Sequence, residues 1–173
     1  MKVSFKAGFV LKSSLILIVG FLATANSYAG GTIQIAATTT MVADLARSVA
    51  GDLAEVTGLM GPGVDPHLYK ATASDINTLQ SADLVFYSGL HLEGRLADIL
   101  VKLGRRNRPV YAVTESIPEA KLLEPEEFEG HFDPHVWFDP RLWAHCIETV
   151  VGALAELDPD NRDEYKRRGQ AVE

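Results

Sequence analysis

The sequence predicts an α/β fold, a four-stranded parallel sheet flanked by helices. Three observations carry that expectation. Four short segments rich in β-branched and apolar residues alternate along the chain with segments of helical period. One of the four, Leu84 to Tyr87, is nearly all apolar, as a strand covered on both faces must be. The elements follow one another in strand-helix order, which implies βαβ units with right-handed crossovers.

Taken in order, Thr32 to Thr38 reads as the first strand. Thr38-Thr39-Thr40 then offers an N-cap, and Met41, Val42, Leu45 and Val49 recur with helical period up to Gly51, a natural C′ stop. Leu53 to Leu59 alternates as a second strand, and Gly61-Pro62-Gly63-Val64-Asp65-Pro66-His67 is too rich in Gly and Pro to be anything but loop. A short helix from Ala73 to Gln80, capped by Thr72 or Ser74, leads to the third strand at Leu84 to Tyr87. Helical spacing resumes from Leu90 to Leu103 through Leu92, Leu96, Ile99 and Leu100, ends at Gly104, and Pro109 to Val113 forms the fourth strand. Thr114 to Pro140 is loop, acidic from Glu119 to Glu129, and Arg141 to Leu157 is a helix in which Cys146 is a small buried thiol. Asp158-Pro159 opens a last, highly charged helix, Asp160 to Glu173, which has no partner left to pack against and is expected to fray.

One short motif occurs twice: Asp65-Pro66-His67-Leu68-Tyr69 and Asp133-Pro134-His135-Val136-Trp137. Proline fixes its own φ and holds the residue before it extended, so each copy delivers a histidine from a stiff, non-helical connection. A single Asp-Pro-His is more often a turn whose imidazole is satisfied by backbone. Two copies shift the weighing toward one metal site, because neutral imidazole is a common ligand for zinc and related ions and must be held rigidly to discriminate. Such a site has to be assembled by the fold, and ligands of open α/β sheets bind beyond the carboxyl ends of the strands, where the His67 loop lies. Asp65 and Asp133 are candidates for Asx turns or for orienting a ligand imidazole, and Asp139 for the N-cap of the following helix. His91, at the start of the third helix, is a minor metal candidate; His131 reads as a surface loop residue and His145 as structural.

Residues 1–29 have the three regions of a secretory signal peptide: Lys2, Lys6 and Lys12, an apolar run from Leu15 to Ala23, and Ser27-Tyr28-Ala29 before the cut. The run is too short to span a membrane as a helix, which takes about 20 residues. Losing the three leader lysines takes the formal charge from −7 to −10, which argues against a nucleic-acid partner. Cys146 is the only cysteine, so no disulfide can form within the chain and no lipid-attachment cysteine follows the apolar run. The expected location is free in a periplasm.

Three stretches in succession, Gly63 to Tyr69, Ala82 to Glu93 (Ala-Asp-Leu-Val-Phe-Tyr-Ser-Gly-Leu-His-Leu-Glu) and Asp133 to Pro140 (Asp-Pro-His-Val-Trp-Phe-Asp-Pro), resemble the zinc/manganese solute-binding proteins of ABC importers. The resemblance implies two α/β lobes joined by one long helix, with a single manganese or zinc ion held between them. By motif, two ligands map onto His67 and His135. A second lobe supplies a third ligand, His or Glu, and a fourth, commonly Asp. On this pattern residues 30–157 are the N-terminal lobe, residues 158–173 begin the interlobe helix, and the chain is a truncated protein without its C-terminal lobe. The implied partner is an ABC permease of the inner membrane, and the implied full-length state is a monomer. The stretch from Leu122 to His131 lacks the His-rich insert of many zinc-dedicated relatives, which favours manganese or mixed use. A zinc-dependent hydrolase is the alternative class, since two His, a carboxylate and an open position also hold catalytic zinc, and an adhesin-like metal-binding protein is another. Against an enzyme, no His-Glu-x-x-His pattern occurs and no general base stands beside either ligand.

Overall fold

Ile33–Ala37 (β1) is a strand buried along its length except at Gln34, and the rest of the chain is laid down on both sides of it. The computed structural model describes residues 31–106 and 108–172, so the expected signal peptide lies outside the described residues. With Ala54–Gly58 (β2), Leu84–Tyr87 (β3) and Val110–Ala112 (β4), β1 forms a four-stranded sheet of order β2-β1-β3-β4 in which every pairing is parallel. Ile35 sits opposite Val56 on one side and Leu84 on the other.

Alternation along β1 and β3 sends side chains to two cores. Ile33, Ile35, Ala37, Leu84 and Phe86 meet the helices Thr40–Ala50 (α1) and Pro140–Leu157 (α4). Ala36 and Val85 face the other way, against Leu79 of Ala73–Ser81 (α2) and Leu96, Leu100 and Leu103 of Leu96–Gly104 (α3). Helices therefore cover both faces, which is why β3 has no polar position before Tyr87. The caps are those the residues favour: the Thr39 hydroxyl accepts from the Val42 amide, Thr72 and Asp75 form a reciprocal capping box, and Asp139 accepts from the Arg141 amide at 2.9 Å. From β1 the chain steps to β2, then crosses back to the far side of β1, and the strand order reverses there. The carboxyl edge beside such a reversal is where a doubly wound sheet opens a crevice.

Three expectations change. The third helix begins at Leu96 and not at Leu90, because Gly89, Leu90 and His91 have φ of 94°, 50° and 64° and form a left-handed turn; Leu92 is buried from that turn, which mimics helical spacing. The segment from Thr114 to Pro140 is not shapeless but carries short 3-10 turns at 113–116, 119–121, 126–128 and 136–138.

The charged C-terminal helix, Arg162–Val172 (α5), does have partners. Tyr165 is fully buried and its hydroxyl donates to Asp158 at 2.8 Å. Arg168 donates to Asp52 at 2.6 Å and also to the carbonyl of Ala50, and Gly169 lets Val151 and Ile147 of α4 approach. One aromatic and one glycine thus replace the apolar stripe that a docked helix usually shows. Amide exchange at Tyr165 to Arg168 should accordingly be as slow as in the middle of α4; fast exchange throughout 162–172 would mean that the helix is not docked.

Candidate metal centre

His67 leaves the loop after β2, and the Asp-Pro step before it is closed by an Asx turn in which Asp65 accepts from the His67 amide at 2.9 Å. Asp133 makes the same turn with the His135 amide at 2.9 Å. Asp133 goes further, since the same oxygen lies 2.6 Å from Nδ1 of the His135 ring. Burial raises the Asp133 carboxyl, but the His135 amide and ring outweigh it and hold the group below the usual carboxylate range. A carboxylate at Nδ1 keeps the proton there and leaves the Nε2 lone pair free.

That nitrogen faces Nε2 of His67. The Nε2 atoms of His67 and His135 are 3.4 Å apart, with ring centroids 5.4 Å apart and planes at 59°. Two nitrogens each about 2.1 Å from one zinc ion at the tetrahedral angle would be about 3.4 Å apart, so the rings already stand at chelating distance. They border a cleft of about 350 Å³ lined also by Thr39 and Thr40 after β1, and by Met60 and Trp137. Trp137 packs edge-on to the His135 ring at 5.3 Å and fixes its tilt. Leu68, within the first motif, and Phe138, directly after the second, are 76% and 80% exposed.

The other histidines lie apart from this pair. His145, on α4, has Nε2 2.9 Å from the Lys121 ammonium and Nδ1 3.8 Å from Glu148. His91 and His131 lie against each other, ring centroids 5.0 Å apart, at a separate depression. Among the described residues no group of three or more His, Cys, Asp or Glu side chains is placed to share an ion. Cys146 is buried in the core, and burial pushes its thiol up to about 12.

Glu93, the last residue of the Ala82 to Glu93 stretch, has a structural role that the sequence did not assign to it. It is 1% exposed and accepts from the Thr38 hydroxyl at 2.8 Å, the Ser88 amide at 2.6 Å and the Gly89 amide at 3.2 Å. Burial pushes its carboxyl up against the pull of these three donors. The side chain ties the end of β1 to the turn after β3, and that turn abuts the His67 loop: a Cβ on Gly94 would come within 2.6 Å of the His67 carbonyl oxygen. The only hint in the sequence was an acid close behind Ser88-Gly89, too common a pattern to carry a role.

Comparison with known proteins gives a consistent picture. The family model described as zinc-uptake complex component A, periplasmic, matches residues 35–173. The zinc-binding protein TroA of Treponema pallidum is 44% identical over 148 residues, which are 86% of this chain and 47% of TroA. The manganese-binding lipoprotein MntA of Bacillus subtilis is 42% identical over 147 residues, 85% of this chain and 47% of MntA. The solved structure of TroA superposes with a TM-score of 0.77 over 82% of this chain and 50% of that one. The Zn(II)-bound ZnuA-like domain of Streptococcus pneumoniae AdcA, 28% identical, gives 0.71 over 82% of this chain and 51% of that one. This chain spans about half the length of the curated relatives it matches.

Proposed function

This chain belongs to the zinc-uptake complex component A family of periplasmic proteins, and on that premise we propose that it captures a divalent cation, zinc or manganese, for delivery to an ABC-type importer. The observation that supports this most is the meeting of two Nε2 atoms at 3.4 Å with one ring oriented by a carboxylate. In this reading His67 and His135 are ligands and Asp133 is the group that aims His135. Two imidazoles fill half of a tetrahedral shell. Water takes the remaining positions on this chain, and in a protein of the relatives' length a second lobe supplies them, with 30–157 as the first lobe and 158–173 as the start of the connection.

The relatives point to both metals, zinc for TroA and manganese for MntA, and the proposal covers both. Periplasmic placement, a monomeric full-length state and a permease partner belong to the same reading. Capture is favoured over hydrolysis because the buried acid nearest the cleft, Glu93, is engaged by three donors and is not free to act as a base. A capture site must hold nitrogen donors on stiff loops at a spacing one ion can bridge, and the 3.4 Å between the two Nε2 atoms supports that reading.

The test is zinc titration followed by long-range ¹H–¹⁵N correlation of the histidine rings. One ion per chain should shift Nε2 of His67 and His135 together; a shift of one ring without the other rejects the shared site. Asp133→Asn should weaken zinc binding roughly ten- to a hundredfold, the usual cost of losing the group that orients an imidazole ligand. Isothermal titration reads it, and an unchanged affinity would remove Asp133 from the site.

A further inference from the structure

The second histidine pair repeats the ring spacing and tilt of the first. His91 and His131 stand 5.0 Å apart between ring centroids with planes at 59°, against 5.4 Å and 59° for His67 and His135. An ion about 2.1 Å from one nitrogen of each ring, at the tetrahedral angle, sets ring centroids roughly 5 Å apart, and both pairs have that ring spacing. Both rings of the second pair are exposed and line one depression of about 430 Å³ with Tyr87, Glu93, Gly130 and Phe132.

The backbone beneath them is unusual in the same place. The described residues include three non-glycine residues with positive φ, Leu90 at 50°, His91 at 64° and Glu129 at 50°, and all three carry or closely precede one of these two histidines. Left-handed backbone is disfavoured for side chains with a Cβ, persists only where the surroundings enforce it, and gathers at ligand-holding sites. Here the surroundings are visible. Glu93 clamps the Ser88 and Gly89 amides beneath His91, and the turn before His131 is closed by its amide donating to the Phe128 carbonyl at 3.0 Å.

We propose that His91 and His131 form a second metal site, a two-imidazole docking point for nitrogen-seeking divalent cations such as nickel, copper and zinc. The donor set defines the class. The carboxylate of Glu93 is turned to backbone amides and the Thr38 hydroxyl, so the depression offers nitrogen without a free carboxylate, and manganese, which prefers oxygen, is excluded from it. Glu124, Glu126, Glu127 and Glu129 precede His131 and give the approach a negative field that draws cations in without ligating them. This site stands independently of the cleft between His67 and His135.

The experiment uses the chain carrying His67→Ala and His135→Ala, so that only the second pair remains, with Ni²⁺ as probe and the histidine ring resonances as readout. Ni²⁺ should broaden His91 and His131 along one common saturation curve. Adding His91→Ala should weaken the effect on His131 roughly tenfold or more, and His131→Ala should do the same to His91, because each ring then binds alone. Mn²⁺ over the same concentrations should leave both rings sharp. Independent curves for the two rings, a His131 response unchanged by His91→Ala, or equal saturation by Mn²⁺ would each overturn the proposal. Failure of the first site would show differently, as His67 and His135 rings that do not respond to zinc in the unsubstituted chain.

Discussion

Replacing either His67 or His135 with alanine is expected to weaken zinc and manganese binding roughly a hundredfold or more, a larger loss than that from removing the carboxylate behind one of them. The expected loss is large because, in the proposed site, the two rings act as a chelate. With both present, their Nε2 atoms are already 3.4 Å apart and little ordering remains to be done when the ion arrives. With one removed, water must fill its place and the remaining imidazole holds the ion alone. Isothermal titration with each metal makes the comparison, and His145→Ala serves as the control, since that ring is engaged with Lys121 and Glu148 on another part of the chain. Unchanged affinity in both cleft variants, or an equal loss in the control, would dismiss the cleft as the binding site.

The largest effect on stability should come from Glu93→Ala. Truncation strips the Thr38 hydroxyl and the Ser88 and Gly89 amides of their acceptor in a buried setting, and each orphaned donor costs about 1–3 kcal/mol. A loss of about 3 kcal/mol or more in urea unfolding is expected, a severe one for a domain whose whole stability is about 5–15 kcal/mol. Glu93→Gln should lose less, since one carbonyl oxygen still serves the Thr38 and Ser88 donors while its amide group meets only the Gly89 N–H. Equal midpoints for Glu93→Ala and the unsubstituted chain would show that water reaches these donors freely and that the clamp is not structural.

How much of this was legible follows from where each signal is written. Strands β1 and β3 and the caps at Thr39, Thr72 and Asp139 are local, and the residues announce them. The start of α3 misled, because Leu92 and Leu96 are both buried and four apart, and only the backbone reveals that a left-handed turn stands between Gly89 and the helix. The docking of α5 was hidden for another reason: its composition is polar, and although Tyr165 reaches only as far as Asp158, Arg168 finds Asp52, 116 positions back and outside any window of sequence. For the candidate metal centre, the repeated Asp-Pro-His pointed to two stiff histidines, but their approach across 68 residues is a property of the sheet. The clamping role of Glu93 was not legible because a buried acid is recognised by its donors, and two of the three are backbone amides.

The reach of Arg168 also bears on the order in which the molecule can assemble. Its guanidinium closes on Asp52 and Ala50, 116 and 118 positions back along the chain, and so ties the first helix to the last. Closing a loop of that length lies late on any route, after the short-range turns and the β1–β2 unit have formed, because its entropy must be met before its contacts give anything back. During synthesis α1 therefore waits, with the Ala50 end of its surface uncovered, until almost the whole of this sequence has been made. A chain interrupted before Arg162 would keep that surface, and Ile147 of α4, open to other chains, and association during refolding should rise with such a deletion even if the sheet itself still forms.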